Sequence, residues 1–170
     1  SGGYTCSLRR VGDLPIHAPY LVSPPDFVAC HVPSYLSKYD VLAGIKQNGT
    51  LLLNSLWDEK ETLERIPDHV KSVIGKKNIS LYIINATKIA AEIGLGGRTN
   101  TILQSAFFKI TNIIPYEDAV TYMKQAILKS YGKKGENVVN MNYAAVDRGG
   151  EYIKVEIPAD WKDITAKFEN

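Results

Sequence analysis

The sequence predicts an α/β fold: a Rossmann-like three-layer domain with a short, mostly parallel sheet and a helix-rich C-terminal half. Three observations predict it. Apolar runs at 26–30, 50–54 and 79–84 alternate with helical patterns through the first half. From Asn100 to Gly149 one amphipathic helix pattern follows another. The breaks between these segments carry Pro or Asn-Gly and Gly-Gly pairs, the residues that punctuate elements.

In chain order, Tyr20-Leu21-Val22 and Asp26-Phe27-Val28-Ala29-Cys30 read as buried strands around Pro24-Pro25. Pro33 suits the first turn of a helix running through 39–46, with Leu36, Tyr39, Leu42 and Ile45 on one face. Asn48-Gly49 ends it, and Thr50-Leu51-Leu52-Leu53-Asn54 reads as a fully buried strand. Asp58 caps a short helix reaching Ile66, and Pro67 opens another through Ile74. Residues 79–84 form the next strand, and Thr87 caps a helix that ends at Gly94. Helices are then expected over 101–112, from Pro115 through Leu128, and over 136–148, the last closed by Gly149-Gly150. Beyond Glu151 the chain reads as an extended arm covering another domain rather than as a core element. The expected organisation is one domain over 1–150 and an arm or linker to a further domain over 151–170.

Composition narrows the classes of function. A chain of 170 residues with 45% hydrophobic and 22% charged content has the make-up of one ordinary globular domain. A net charge of +2 is too balanced to make nucleic acid the main partner. Two cysteines, Cys6 and Cys30, are too few for a disulfide framework, a structural zinc site or an iron–sulfur cluster held by this chain alone. No apolar run is long enough for a membrane helix. The sequence starts at Ser1 without methionine or a leader pattern, so a piece of a longer, cytoplasmic protein is expected.

The strongest chemical signal is Gly94-Leu95-Gly96-Gly97-Arg98-Thr99-Asn100, which opens onto a helix. Glycine-freed amides, a helix N-terminus and the Arg98 guanidinium can face one anion, so a phosphate or diphosphate fits Gly96, Gly97, Arg98 and Asn100. The spacing matches neither the P-loop nor the dinucleotide fingerprint. A helix C-cap at Gly94 with a tight connection explains the same glycines equally well. Ser55, at the carboxyl edge of the expected sheet, suits a ligand hydroxyl or phosphate, or a turn cap. Cys30 and His31 are strand neighbours whose side chains point to opposite faces, which favours structural roles over a nucleophilic pair. Lys133 and Lys134 read as a solvated turn. No residue set forms a complete catalytic site, and His17 and His69 have no partner at metal-ligand spacing.

Several segments in register resemble one family: Asp26-Phe27-Val28-Ala29-Cys30-His31, Lys38-Tyr39-Asp40-Val41-Leu42, Leu51-Leu52-Leu53-Asn54-Ser55 and the Gly94–Asn100 turn. So do Tyr131-Gly132-Lys133-Lys134-Gly135 and Val138-Val139-Asn140-Met141-Asn142-Tyr143-Ala144-Ala145-Val146-Asp147. The chain resembles the gamma-type domain of pyruvate:ferredoxin (flavodoxin) oxidoreductase, from Ser1 to about Trp161. The resemblance implies a share in oxidative decarboxylation of pyruvate, with coenzyme A as acyl acceptor and ferredoxin or flavodoxin as electron acceptor. It implies that thiamine diphosphate, Mg2+ and iron–sulfur clusters sit on other domains or subunits, this chain supplying part of the coenzyme A site and inter-domain packing. Arg98 is then the first phosphate contact, with Gly96, Gly97 and Asn100 in support.

Two departures qualify the resemblance. The family's upstream strand, glycine-rich loop and lysine pair are absent, so a short sheet with one open edge is expected. Ser7-Leu8-Arg9-Arg10 stands where the family commonly has Ser-His-Leu-Arg, and His17 where it tends to have arginine. The alternatives are a related 2-oxoacid:ferredoxin oxidoreductase, a stand-alone nucleotide-binding module and a purely structural domain.

Overall fold

The computed structural model describes residues 8–9 and 26–169. The expected strand at 20–22, the Pro24-Pro25 break, Cys6 and His17 lie outside them. The chain divides into two compact units, Ser1–Ile84 with Ile153–Asn170, and Asn85–Tyr152.

The first unit is built on a sheet of order β1-β2-β3-β4-β5, with β1 Leu8–Arg9, β2 Phe27–Cys30, β3 Thr50–Asn54, β4 Ser80–Ile84 and β5 Ile153–Val155. β2, β3 and β4 run parallel, in register Val28↔Leu51↔Leu81. The two edge strands are antiparallel to their neighbours. The β2 edge, expected to lie open, is therefore paired over the two residues of β1.

Strand alternation sends Val28, Cys30, Leu51, Leu53, Leu81, Ile83 and Val155 to one face. There they pack with Leu36 of α1 (Tyr35–Lys38), with Ile66 after α2 (Glu59–Arg65), and with Val70 and Ile74 of α3 (Asp68–Lys76). Leu51, Leu52 and Leu53 are all 0% exposed, and each contributes about 1.5–3 kcal/mol by leaving water. Asp58 caps α2 as its position suggests, its carboxylate accepting from the Glu61 N–H at 2.8 Å.

Three expectations are corrected. The helix expected from Pro33 through 39–46 is confined to α1, because Tyr39 is extended (φ −134°, ψ 154°) and Gly44 is left-handed at φ +73°. Leu42 and Ile45 are buried all the same, so the apolar spacing recorded burial rather than helix. The following helix, α4 (Ala86–Ile93), is capped not by Thr87 but by Asn85, whose side chain accepts from the Lys88 N–H at 3.0 Å.

The third correction concerns the tail. Far from standing off as an arm, Ile153–Val155 completes the sheet against β4, and Trp161 is 4% exposed within the core. Gly75 makes this possible, because a Cβ there would meet the Trp161 carbonyl carbon and the Lys162 nitrogen at 2.4 Å. Ser72 Oγ then donates to the Ile164 carbonyl at 2.7 Å.

The second unit is helical: α4, α5 (Asn100–Thr111), α6 (Tyr116–Tyr131) and α7 (Glu136–Asp147). Its core gathers Ile89, Leu95, Ile102, Phe107, Phe108, Met123 and Val146. A buried polar link crosses it, Ser105 Oγ donating to the Val146 carbonyl at 2.6 Å with the Tyr116 hydroxyl 2.9 Å away.

Candidate functional site: the Arg98 turn

Between α4 and α5 the backbone makes two turns in succession. Gly94, at φ +101°, lets α4 end in a paired cap: the Leu95 N–H reaches back to the Ala90 carbonyl at 2.8 Å and the Gly94 N–H to Ala91 at 3.3 Å. Burial of Leu95, 4% exposed, anchors this cap in the core of the second unit. The C-cap reading of Gly94 is therefore satisfied, and it accounts for that glycine alone.

The second turn closes from the Arg98 N–H to the Leu95 carbonyl at 3.2 Å, with Gly96 left-handed at φ +62°. None of the described residues lies within 4 Å of where a Cβ would stand on Gly96 or Gly97, so among them the outer face of the turn is bare backbone. Arg98 is exposed, yet its Nε also donates to the Leu95 carbonyl at 3.2 Å. That bond orients the guanidinium and leaves both terminal nitrogens without a partner among the described residues.

Thr99 precedes α5 but gives it no side-chain cap. The first return bond runs from the Leu103 N–H to the Thr99 carbonyl at 3.1 Å. The N–H groups of Asn100, Thr101 and Ile102 thus have no protein acceptor among the described residues. Donors from a helix terminus, an oriented guanidinium and an open glycine face are the elements of an anion site. Gly96, Gly97, Arg98 and Asn100, the residues expected from the sequence to face an anion, all lie in this turn and the helix start that follows it. The sequence pointed to the helix N-terminus without naming the Thr101 and Ile102 amides; the lack of a capping bond from Thr99 is visible only in three dimensions.

Ser55 lies in the first unit. It is 6% exposed, and its Oγ accepts from the Trp57 N–H at 2.9 Å, so this geometry gives it the turn-capping role. Beside it, Asn54 Nδ2 donates to the His31 carbonyl at 3.2 Å and ties together the ends of β2 and β3. Cys30 is buried and its thiol donates to the Val32 carbonyl at 3.1 Å; loss of solvent raises its pKa to about 11. A thiol held neutral in this way is not an activated nucleophile. Among the described residues, no three His, Cys, Asp or Glu side chains are grouped to hold a metal ion, and no helix is long and apolar enough to cross a membrane.

Comparison with known proteins gives this geometry its context. Residues 1–152 match the family described as pyruvate ferredoxin/flavodoxin oxidoreductase. The chain is 49% identical over 164 residues to the pyruvate:ferredoxin oxidoreductase of Moorella thermoacetica, covering 96% of this chain and 14% of that protein. It is 48% identical over 168 residues to the pyruvate-flavodoxin oxidoreductase of Enterobacter agglomerans, again 14% of that protein and 98% of this chain. The chain thus spans about a seventh of the length of these relatives. Among solved structures it resembles the pyruvate oxidoreductase subunit PORC of Thermotoga maritima, with a TM-score of 0.57 at 22% identity over 76% of this chain and 65% of that one, a likeness of fold. With the family match running through most of its residues, the chain belongs to the pyruvate ferredoxin/flavodoxin oxidoreductase family.

Proposed function

We propose that the chain serves a pyruvate:ferredoxin or pyruvate:flavodoxin oxidoreductase by binding coenzyme A through the Arg98 turn and packing against the enzyme's other domains. Thiamine diphosphate with Mg2+ and iron–sulfur clusters, held elsewhere in that enzyme, supply the decarboxylation and the removal of electrons to ferredoxin or flavodoxin. The task of this chain's residues is to hold the anionic end of coenzyme A. The Arg98 terminal nitrogens take two phosphate oxygens side by side, the geometry for which a planar guanidinium is suited. The Asn100, Thr101 and Ile102 amides complete the cradle, and Gly96 and Gly97 admit the phosphate without a side chain in its path.

The observation that carries the reading is the Arg98 Nε bond to Leu95, which spends one donor on orientation and keeps the remaining face of the fork open. A purely structural reading draws on the Gly94 cap, which needs no ligand. Arg98→Ala in the complete enzyme separates the two. The coenzyme A reading predicts a KM for coenzyme A raised roughly tenfold or more, with pyruvate-dependent reduction of the enzyme in the absence of coenzyme A retained. An unchanged KM would refute the Arg98 assignment and leave the structural reading.

A further inference from the structure

The chain contains one Asn-Gly pair, Asn48-Gly49, which leads into β3 in the first unit. Such a pair is chemically labile, because glycine leaves its amide nitrogen unshielded toward the side-chain carbonyl carbon of the asparagine before it. Here the fold calls for both residues. Asn48 is left-handed at φ +66°, a conformation that asparagine accepts more readily than most side chains. A Cβ on Gly49 would stand 2.9 Å from the Asp26 carbonyl oxygen, which also accepts from the Thr50 N–H at 2.9 Å. Asn48 is exposed and Gly49 is buried.

Hydrogen bonds hold the pair from both sides. The Asn48 N–H donates to the Lys77 carbonyl at 2.7 Å, and the Gly49 N–H to the Lys46 carbonyl at 3.1 Å. The Gly49 carbonyl accepts from the Ser80 N–H at 2.9 Å. Asn78, itself left-handed at φ +53°, donates from Nδ2 to Asn48 Oδ1 at 2.9 Å. Attack by Gly49 on the Asn48 side chain needs the Gly49 nitrogen stripped of its proton and the Asn48 carboxamide swung over it. The bond to Lys46 opposes the first and the bond from Asn78 the second.

We propose that Asn48 is a site of spontaneous conversion to isoaspartate, guarded in the folded protein by the Asn78 side chain. The Gly49 nitrogen gives up its proton and bonds to Asn48 Cγ, closing a succinimide. The bond from Cγ to the side-chain nitrogen breaks, and ammonia leaves with that proton. Water then opens the ring at the main-chain carbonyl to give isoaspartate, or at the side-chain carbonyl to give aspartate. No electrons are exchanged, and water is the sole co-reactant. Isoaspartate carries the main chain through Cβ, which lengthens the path between the N–H held by Lys77 and the carbonyl held by Ser80. Thr50 then loses its place opposite Phe27 and Ser80, so an opening of this sheet edge becomes permanent once the site reacts.

The test incubates the complete enzyme at mildly alkaline pH, folded and urea-unfolded, and maps peptides by a method that separates asparagine, aspartate and isoaspartate at 48. The folded wild type is expected to form isoaspartate roughly tenfold or more slowly than the unfolded chain. Asn78→Gly, which tolerates the left-handed backbone, is expected to speed the folded-state reaction about fivefold, the loss of one hydrogen bond. Asn78→Asp keeps the side-chain shape but not the donor, and should speed it by a similar factor even where the glycine variant fails to fold. Equal rates in folded and unfolded wild type, or no isoaspartate at 48 in the unfolded chain, overturns the site. A wild-type rate in Asn78→Asp overturns the guard.

Discussion

Arg98 donates twice to one oxygen, from its backbone N–H and from its Nε, each 3.2 Å from the Leu95 carbonyl. Lysine can reproduce the backbone bond but not the side-chain one, nor the two-toothed face that remains. Arg98→Lys is therefore expected to behave much like Arg98→Ala, with a KM for coenzyme A several-fold above wild type. A lysine variant with wild-type KM would show that charge alone suffices and that the orienting bond is incidental.

The Gly75–Trp161 contact makes a prediction about stability. A methyl group at Gly75 meets backbone, which cannot rotate away, at 2.4 Å. Alanine is the better helix former by about 1 kcal/mol, but overpacking of this kind costs about 1–3 kcal/mol. Gly75→Ala is expected to lower the midpoint of urea unfolding and to shift the fluorescence of Trp161 toward that of a solvated indole. A stabilised variant with unchanged fluorescence would contradict the seating of the tail on α3.

Cys30 gives a pH prediction. Its thiol, pushed up to about 11 by burial, stays neutral through the ordinary working range. Peptide-resolved alkylation is expected to spare Cys30 at pH 7–9 in the folded protein and to modify it readily once the chain is unfolded. Rapid native labelling at pH 8 would contradict the burial.

Arg148 ties two helix ends together, pairing with Glu92 at 2.9 Å and with both carboxylate oxygens of Glu151 at 2.8 and 2.9 Å. The hydrogen bonds from Arg148 hold the Glu151 carboxyl below its ordinary value of 4.5. A lowered carboxyl contributes stability that is present above about pH 4.5 and lost as pH falls through the folded midpoint. The pair is exposed, so the contribution is small. NMR titration should place the Glu151 midpoint below 4.5 and return it to the ordinary range in Arg148→Ala. An equal midpoint in both proteins would contradict the pairing.

Much of the fold was legible because its elements are locally consistent. Thr50-Leu51-Leu52-Leu53-Asn54 has no polar break for a helix face to use, and a parallel strand buried throughout is what such a run becomes. Asp58, Pro67, Gly94 and Pro115 each mark a helix boundary by a backbone mechanism of their own. Thr87 reads as the cap of α4 in the sequence, yet Asn85, two residues earlier, takes that place with its side chain. The 39–46 segment and the tail were misread for one reason: tertiary contacts, not local pattern, determine them. Leu42 and Ile45 fill the core from turns, and Ile153–Val155 becomes a strand because the β4 edge receives it.

Of the candidate site, the sequence offers the glycines and the arginine before a helix as the signs of an anion turn, whereas the uncapped amides of Thr101 and Ile102 and the bond that orients Arg98 are visible only in three dimensions.

The most direct test of the central claim is amide hydrogen exchange of the complete enzyme with and without coenzyme A, resolved to peptides covering 95–103. The account predicts that coenzyme A slows exchange at Asn100, Thr101 and Ile102, whose N–H groups have no protein acceptor among the described residues, and that Arg98→Ala abolishes the protection. Unchanged exchange across this segment at saturating coenzyme A would contradict it.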